Sequence, residues 1–100
     1  MRRVMVRYKV KPDRVEENER YVREVFGALE RSKPDNVRYA TFKLADGVTF
    51  VHIAMHEVAD GTSPLTSLPE FKAFTAGVKE RCDELPQSVE WTQVGSYCLW

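Results

Sequence analysis

A chain of 100 residues, 43% apolar and 30% charged, is sized and composed for one ordinary globular domain spanning residues 1–100. Fifteen basic side chains balance fifteen acidic ones, which excludes the strong positive field of a nucleic-acid binder and does little to oppose self-association. No stretch approaches the roughly 20 apolar residues of a membrane span, and the alternating start builds no signal-peptide run, so a cytoplasmic protein without a membrane partner is expected.

Arg2 to Val10 alternates: Val4, Val6, Tyr8 and Val10 share one side, and Arg3, Met5, Arg7 and Lys9 the other, which predicts a strand with one apolar face. Pro12 ends it and suits a helix start. From about Asp13 to Ser32 the spacing becomes helical, with Val15, Val22, Val25, Phe26 and Leu29 as the apolar stripe. Lys33-Pro34-Asp35-Asn36 breaks that helix. Val37 to Leu44 reads as a second strand, Ala45-Asp46-Gly47 as a tight hairpin, and Val48 to Glu57 as a third strand that is apolar on both faces. A loop over 58–66, with an Asp60-Gly61 turn, leads to a second helix from Ser67 to about Glu84. Ser67 and Glu70 predict a capping box, Leu68, Phe71, Phe74, Val78 and Cys82 form the stripe, and Pro86 stops the helix. Val89 to Trp100 is predicted as the last strand.

This order, strand–helix–strand–strand–helix–strand, predicts an α+β fold of the ferredoxin-like βαββαβ type. Four antiparallel strands carry both helices on one face. The other face is then bare in a single copy, and the economical cover is a second copy packed sheet against sheet, a homodimer.

The opening Val6-Arg7-Tyr8-Lys9-Val10-Lys11-Pro12 leading into Glu16-Glu17-Asn18 carries a resemblance. So do the hairpin Arg38-Tyr39-Ala40-Thr41-Phe42 to Phe50-Val51-His52-Ile53-Ala54 and the segment Leu68-Pro69-Glu70-Phe71-Lys72-Ala73-Phe74. Over essentially its whole length the chain resembles the antibiotic-biosynthesis-monooxygenase-like proteins of the dimeric α/β-barrel superfamily. The resemblance implies a homodimeric barrel with a cavity between sheet and helices. It further implies an oxidoreductase-like activity: oxidation of a small aromatic or quinone-like substrate with no cofactor, neither metal nor flavin. The alternative is a non-catalytic dimer that binds a small ligand or is purely structural. Haem-degrading members hold iron with a histidine on the second helix and use an asparagine on the first strand. This chain has neither in those segments, so haem degradation is not expected.

His52 and His56 are the candidate catalytic residues. On a strand they share a face about 13 Å apart, at roughly 3.3 Å per residue, too far to chelate one ion, so no metal site is expected from the pair. Each alone can move a proton or meet an anion. Parity does not say whether their face meets the helices or a partner. Tyr8, Tyr39, Trp91 and Tyr97 are the candidate substrate-binding residues, since aromatic rings with a polar handle suit a planar organic ligand; plain packing is the bland reading for each. Cys82 and Cys98 match no metal spacing and are expected as reduced thiols, with Cys82 serving as packing.

Overall fold

The computed structural model describes residues 2–56 and 63–98. Its elements are β1 (Arg2–Val10), a 3-10 turn (Pro12–Arg14), α1 (Val15–Ser32), β2 (Val37–Lys43), β3 (Thr49–His56), α2 (Pro69–Arg81) and β4 (Cys82–Glu90). All strand pairs are antiparallel, in the order β2-β3-β1-β4. That is the ferredoxin-like α+β topology, with β1 and β3 in the middle. Glu57, the Asp60-Gly61 turn and residues 99–100 of the expected last strand lie outside the described residues.

The alternation of β1 is realised side for side. Val4, Tyr8 and Val10 are buried, while Arg3 and Arg7 are exposed. In the β1–β3 register Val4 lies opposite Ala54, Val6 opposite His52, and Tyr8 opposite Phe50. These residues face the helices, and Val6, Tyr8, Phe50 and Ala54 meet Val25 of α1 and Phe74 and Val78 of α2 in one core. The parity left open by the sequence is thereby decided: His52 and His56 point to the helix side. α1 ends on Lys33, which adopts the left-handed conformation (φ 43°) and donates its N–H to the Leu29 carbonyl. The β2–β3 hairpin turns at Gly47 (φ 77°), where glycine carries no Cβ penalty. The Asp46 carboxylate accepts from the Val48 and Thr49 N–H groups and from the Thr49 hydroxyl, which, with the hydroxyl first, hold its pKa down at about 2.

Five expectations are corrected. The last strand is 82–90, not 89–100, and α2 stops at Arg81, three residues short of the expected end. β4 is an edge strand whose residues, Cys82 and Pro86 apart, are exposed, so it carries no apolar alternation for sequence reading to detect. Pro86 does not stop a helix. It sits on β4 where the β1–β4 register slips between Arg7 and Lys9, and an edge strand tolerates its missing donor. The expected Ser67 capping box is also not formed. Leu68 occupies the N-cap without a side-chain bond, and the Ser67 hydroxyl donates instead to the Ser63 and Pro64 carbonyls. Cys82 accordingly lies at the start of β4 rather than on the helix. It is buried in the core, and both cysteines are free thiols.

Candidate functional site

The core between sheet and helices is not completely filled. A cavity of about 220 Å³ has Val4, Val6, Tyr8 and Ala54 as its sheet-side wall and Phe71, Phe74 and Val78 of α2 as its opposite wall. Tyr39, His52 and His56 complete the lining with Leu65, and Arg2 and Thr66 also reach it. The aromatic rings form a connected set. Tyr8 and His52 stack at 5.3 Å between centroids, Phe74 lies 5.4 Å from His52, and Phe71 meets Tyr39 edge-on at 6.4 Å.

Through this apolar surround runs one hydrogen-bonded chain. The Arg81 Nε–H donates to Asn18 Oδ1 at 3.2 Å, and Asn18 Nδ2 donates to the Tyr8 hydroxyl oxygen at 2.9 Å. Tyr8 Oη lies 2.8 Å from His52 Nε2; His52 Nδ1 lies 2.5 Å from Tyr39 Oη and 3.0 Å from Thr41 Oγ1. A guanidinium can only donate, so it sets the direction of every other bond. Asn18 must turn its oxygen to Arg81 and its amide N–H to Tyr8. The Tyr8 oxygen is then an acceptor on that side, and its own proton goes to His52 Nε2. Neutral His52 therefore carries its proton on Nδ1 and directs it at Tyr39 and Thr41. The opposite tautomer would leave the buried Tyr8 O–H without an acceptor, at a cost of about 1–3 kcal/mol.

Burial determines the charge state along the chain. His52 is 4% exposed, and burial pushes its pKa down to about 4, so it is neutral at pH 7. Burial also pushes Tyr39 up to about 12, and raises Tyr8 further although its bond from Asn18 opposes the shift. Arg81, 1% exposed, meets no carboxylate among the described residues. Its charge is held instead by the Phe74 carbonyl at 3.0 Å, by Asn18, and by the faces of Tyr21 and Phe74, 4.5 and 5.4 Å from the guanidinium carbon. Cation–π contacts of this kind are worth roughly 0.5–2 kcal/mol each.

No family model and no curated protein matches the chain. Solved structures do. A candidate antibiotic biosynthesis monooxygenase of Bacteroides thetaiotaomicron superposes with a TM-score of 0.78 at 15% identity, covering 93% of this chain and 89% of that one. One of Nitrosomonas europaea gives 0.74 at 18%, covering 92% and 88%. SnoaB, a cofactor-independent oxygenase from Streptomyces nogalater, gives 0.68 at 16%, covering 96% and 95%. The fold is that of the antibiotic-biosynthesis-monooxygenase-like proteins.

Within this fold, four of the six residues singled out in the sequence converge: Tyr8, Tyr39, His52 and His56 line one cavity. The other two do not line it; β4 ends at Glu90, with the Trp91 N–H still donating to the Arg3 carbonyl of β1. Trp91, half-buried, lies beside Met5 and Ile53 on the face away from the helices, and its Nε1 is buried without a partner among the described residues. Tyr97 is 92% exposed. Among the described residues no three His, Cys, Asp or Glu gather closely enough to hold a metal ion, and no helix is long and apolar enough to cross a membrane. Sequence reasoning missed Asn18 and Arg81. The available signal was position: Asn18 falls between Val15 and Val22, and Arg81 three residues after Val78, so each is a polar residue in an apolar stripe.

Proposed function

We propose that this protein binds a small planar aromatic or quinol-like substrate in the cavity and promotes its oxidation by dioxygen without a cofactor. The observation that carries the reading is the joining of an apolar, ring-lined cavity of about 220 Å³ to one neutral histidine, His52, whose proton order is set from behind. An apolar cavity of about 150 Å³ accepts benzene, and drug-sized ligands occupy roughly 300–1,000 Å³, so the size suits one or two rings.

The chemistry needs a proton acceptor beside an otherwise dry ring. A substrate whose acidic O–H or C–H displaces the Tyr8 hydroxyl from His52 Nε2, the ring nitrogen with the free lone pair, would give up its proton there, and the released Tyr8 O–H can donate to the resulting anion. The electron-rich anion can then reduce dioxygen. A ring CH₂ plus O₂ becomes C=O plus water by way of a hydroperoxide, and a hydroquinone plus O₂ becomes quinone plus hydrogen peroxide. The nascent imidazolium, disfavoured by burial, is stabilised by the substrate anion it faces. A binding protein without turnover is the second reading. It is favoured by His52 already having both ring nitrogens engaged.

Oxygen consumption with 1,4-naphthohydroquinone separates them. The first reading expects wild-type protein to accelerate uptake over buffer, and His52→Ala to lose most of that acceleration. Ligand binding with no acceleration establishes the binder, and equal uptake by wild type and a His52→Ala, His56→Ala double variant removes the histidines from the reaction.

We also infer a homodimer closed sheet against sheet. On the face away from the helices, the register aligns Ala40, Ile53, Met5 and Val89 across all four strands, with Phe42 and Val51 beside them. Phe42 is 49% and Val89 48% exposed, an apolar row of the kind that isologous interfaces bury. A monomeric mass by sedimentation at micromolar concentration would refute it.

A further inference from the structure

The cavity has a second polar end that the His52 chain does not use. His56 lies directly opposite Arg2 in the β1–β3 ladder, with both side chains on the helix side, and both line the cavity. Cross-strand neighbours of this kind have Cβ atoms about 4.5–5.5 Å apart. His56 is 6% exposed, yet among the described residues its Nδ1 is buried without a hydrogen-bond partner. A buried donor or acceptor left unmade is costly, and an imidazole that lines a cavity with one nitrogen unmet is a group that a ligand can satisfy. Arg2 is held only loosely. Among the described residues its ionic contact is Glu90 at 3.8 Å, with both side chains more than half exposed. An exposed pair of this sort is easily exchanged for a better partner.

We propose that His56 and Arg2 form an anion-recognising end of the cavity, and that its ligand is a one- or two-ring aromatic acid. The carboxylate would sit between the Arg2 guanidinium and His56 Nδ1, with the ring among Tyr39, Phe71 and Phe74. This rests on the reading of the cavity as an aromatic-ligand site and adds the charge of the ligand to it. A carboxylate can accept from the planar guanidinium fork and from an imidazole N–H together, satisfying the orphaned nitrogen. Unliganded, burial first and the Arg2 charge second hold His56 below its ordinary range, so the resting ring is neutral and an arriving anion would favour its protonation. The His52 end, four residues away on the same strand face, takes no part in holding the carboxylate.

Calorimetric titration of the full chain with 2-naphthoate and its neutral isostere 2-naphthamide tests the assignment. Wild-type protein should bind the acid about tenfold or more tightly than the amide, the usual worth of a charge-assisted hydrogen bond in a dry site. Arg2→Gln, at an exposed position that cannot empty the core, should remove most of that preference by weakening the acid far more than the amide. His56→Gln should weaken the acid selectively. Equal affinity for acid and amide, or a preference that survives Arg2→Gln, overturns the anion end and leaves the aromatic site standing. Binding of neither probe overturns both.

Discussion

The two faces of β3 handle burial in opposite ways. On the helix side Phe50, His52, Ala54 and His56 are all under 9% exposed, and two of the four are ionisable. On the other side Thr49 and Met55 at the ends are buried, but the aliphatic Val51 and Ile53 in the middle are only half-buried. Polar groups have thus been taken into the dry layer, where desolvation is most costly, while apolar groups stand where the chain gives incomplete cover. The difference separates two kinds of statement about the molecule. The inner face accepts the expense of burying His52 because a connected chain satisfies both its ring nitrogens, while His56 is buried with its Nδ1 unmet, and both line a cavity. Among the described residues the outer face has no such chain, and its apolar row is the face on which the proposed sheet-against-sheet contact would form.

The sharpest way to break this contrast is to cut the inner chain at its anchor. Asn18→Leu leaves Arg81 Nε and the Tyr8 oxygen without their partner. We expect a loss of about 3–5 kcal/mol in urea unfolding, the usual consequence of stranding a buried charge. A loss under about 1 kcal/mol would mean that the chain is ornamental.

Titration is the next largest effect. Folded His52 takes its proton near pH 4, whereas the unfolded residue does so near the ordinary 6.5. Between those values the unfolded chain holds more protons, so stability falls as pH drops from about 6.5 to 4 and is unaffected by this residue above that window. The shift corresponds to about 3 kcal/mol. His52→Gln should show a correspondingly shallower fall over the same window, and an unchanged pH profile would refute the assignment.

Tyr39→Phe keeps the ring stacked on Phe26 and leaves Thr41 as acceptor for Nδ1–H, so about 1 kcal/mol is expected in the same unfolding measurement. A loss of 3 kcal/mol or more would show that Thr41 does not substitute. Smallest in folding energy is a charge on the outer face. Ile53→Glu should shift the unfolding free energy of the isolated chain by no more than about 1 kcal/mol. It should nonetheless convert a sedimenting dimer to monomer; a mass unchanged from wild type would exclude this face as the interface.

Much of the fold was legible because burial leaves a period. β1, α1, β2 and β3 each show two-fold or 3.6-fold apolar spacing in the sequence, and the order of elements then restricts the topology to very few arrangements. β4 escaped because an edge strand open to solvent has no apolar side to announce it, while the more apolar 89–100 stretch imitates one. The candidate site was half legible. His52, His56, Tyr8 and Tyr39 stand out by residue type on strands, but Trp91 and Tyr97 stand out equally and are elsewhere. Asn18 and Arg81 were hidden among helix positions that look unremarkable until the stripe is counted.

By itself the sequence determined the alternation of β1 and β3, the helical stripes, and therefore which residues could share a face. Only the tertiary structure decided which face met the helices. That choice depends on contacts between segments more than 40 residues apart, such as Tyr8 with His52 and Asn18 with Arg81, which no local period encodes. The direction of the proton chain depends on the same contacts, since a donor-only group acts on a histidine only once folding brings the two ends together.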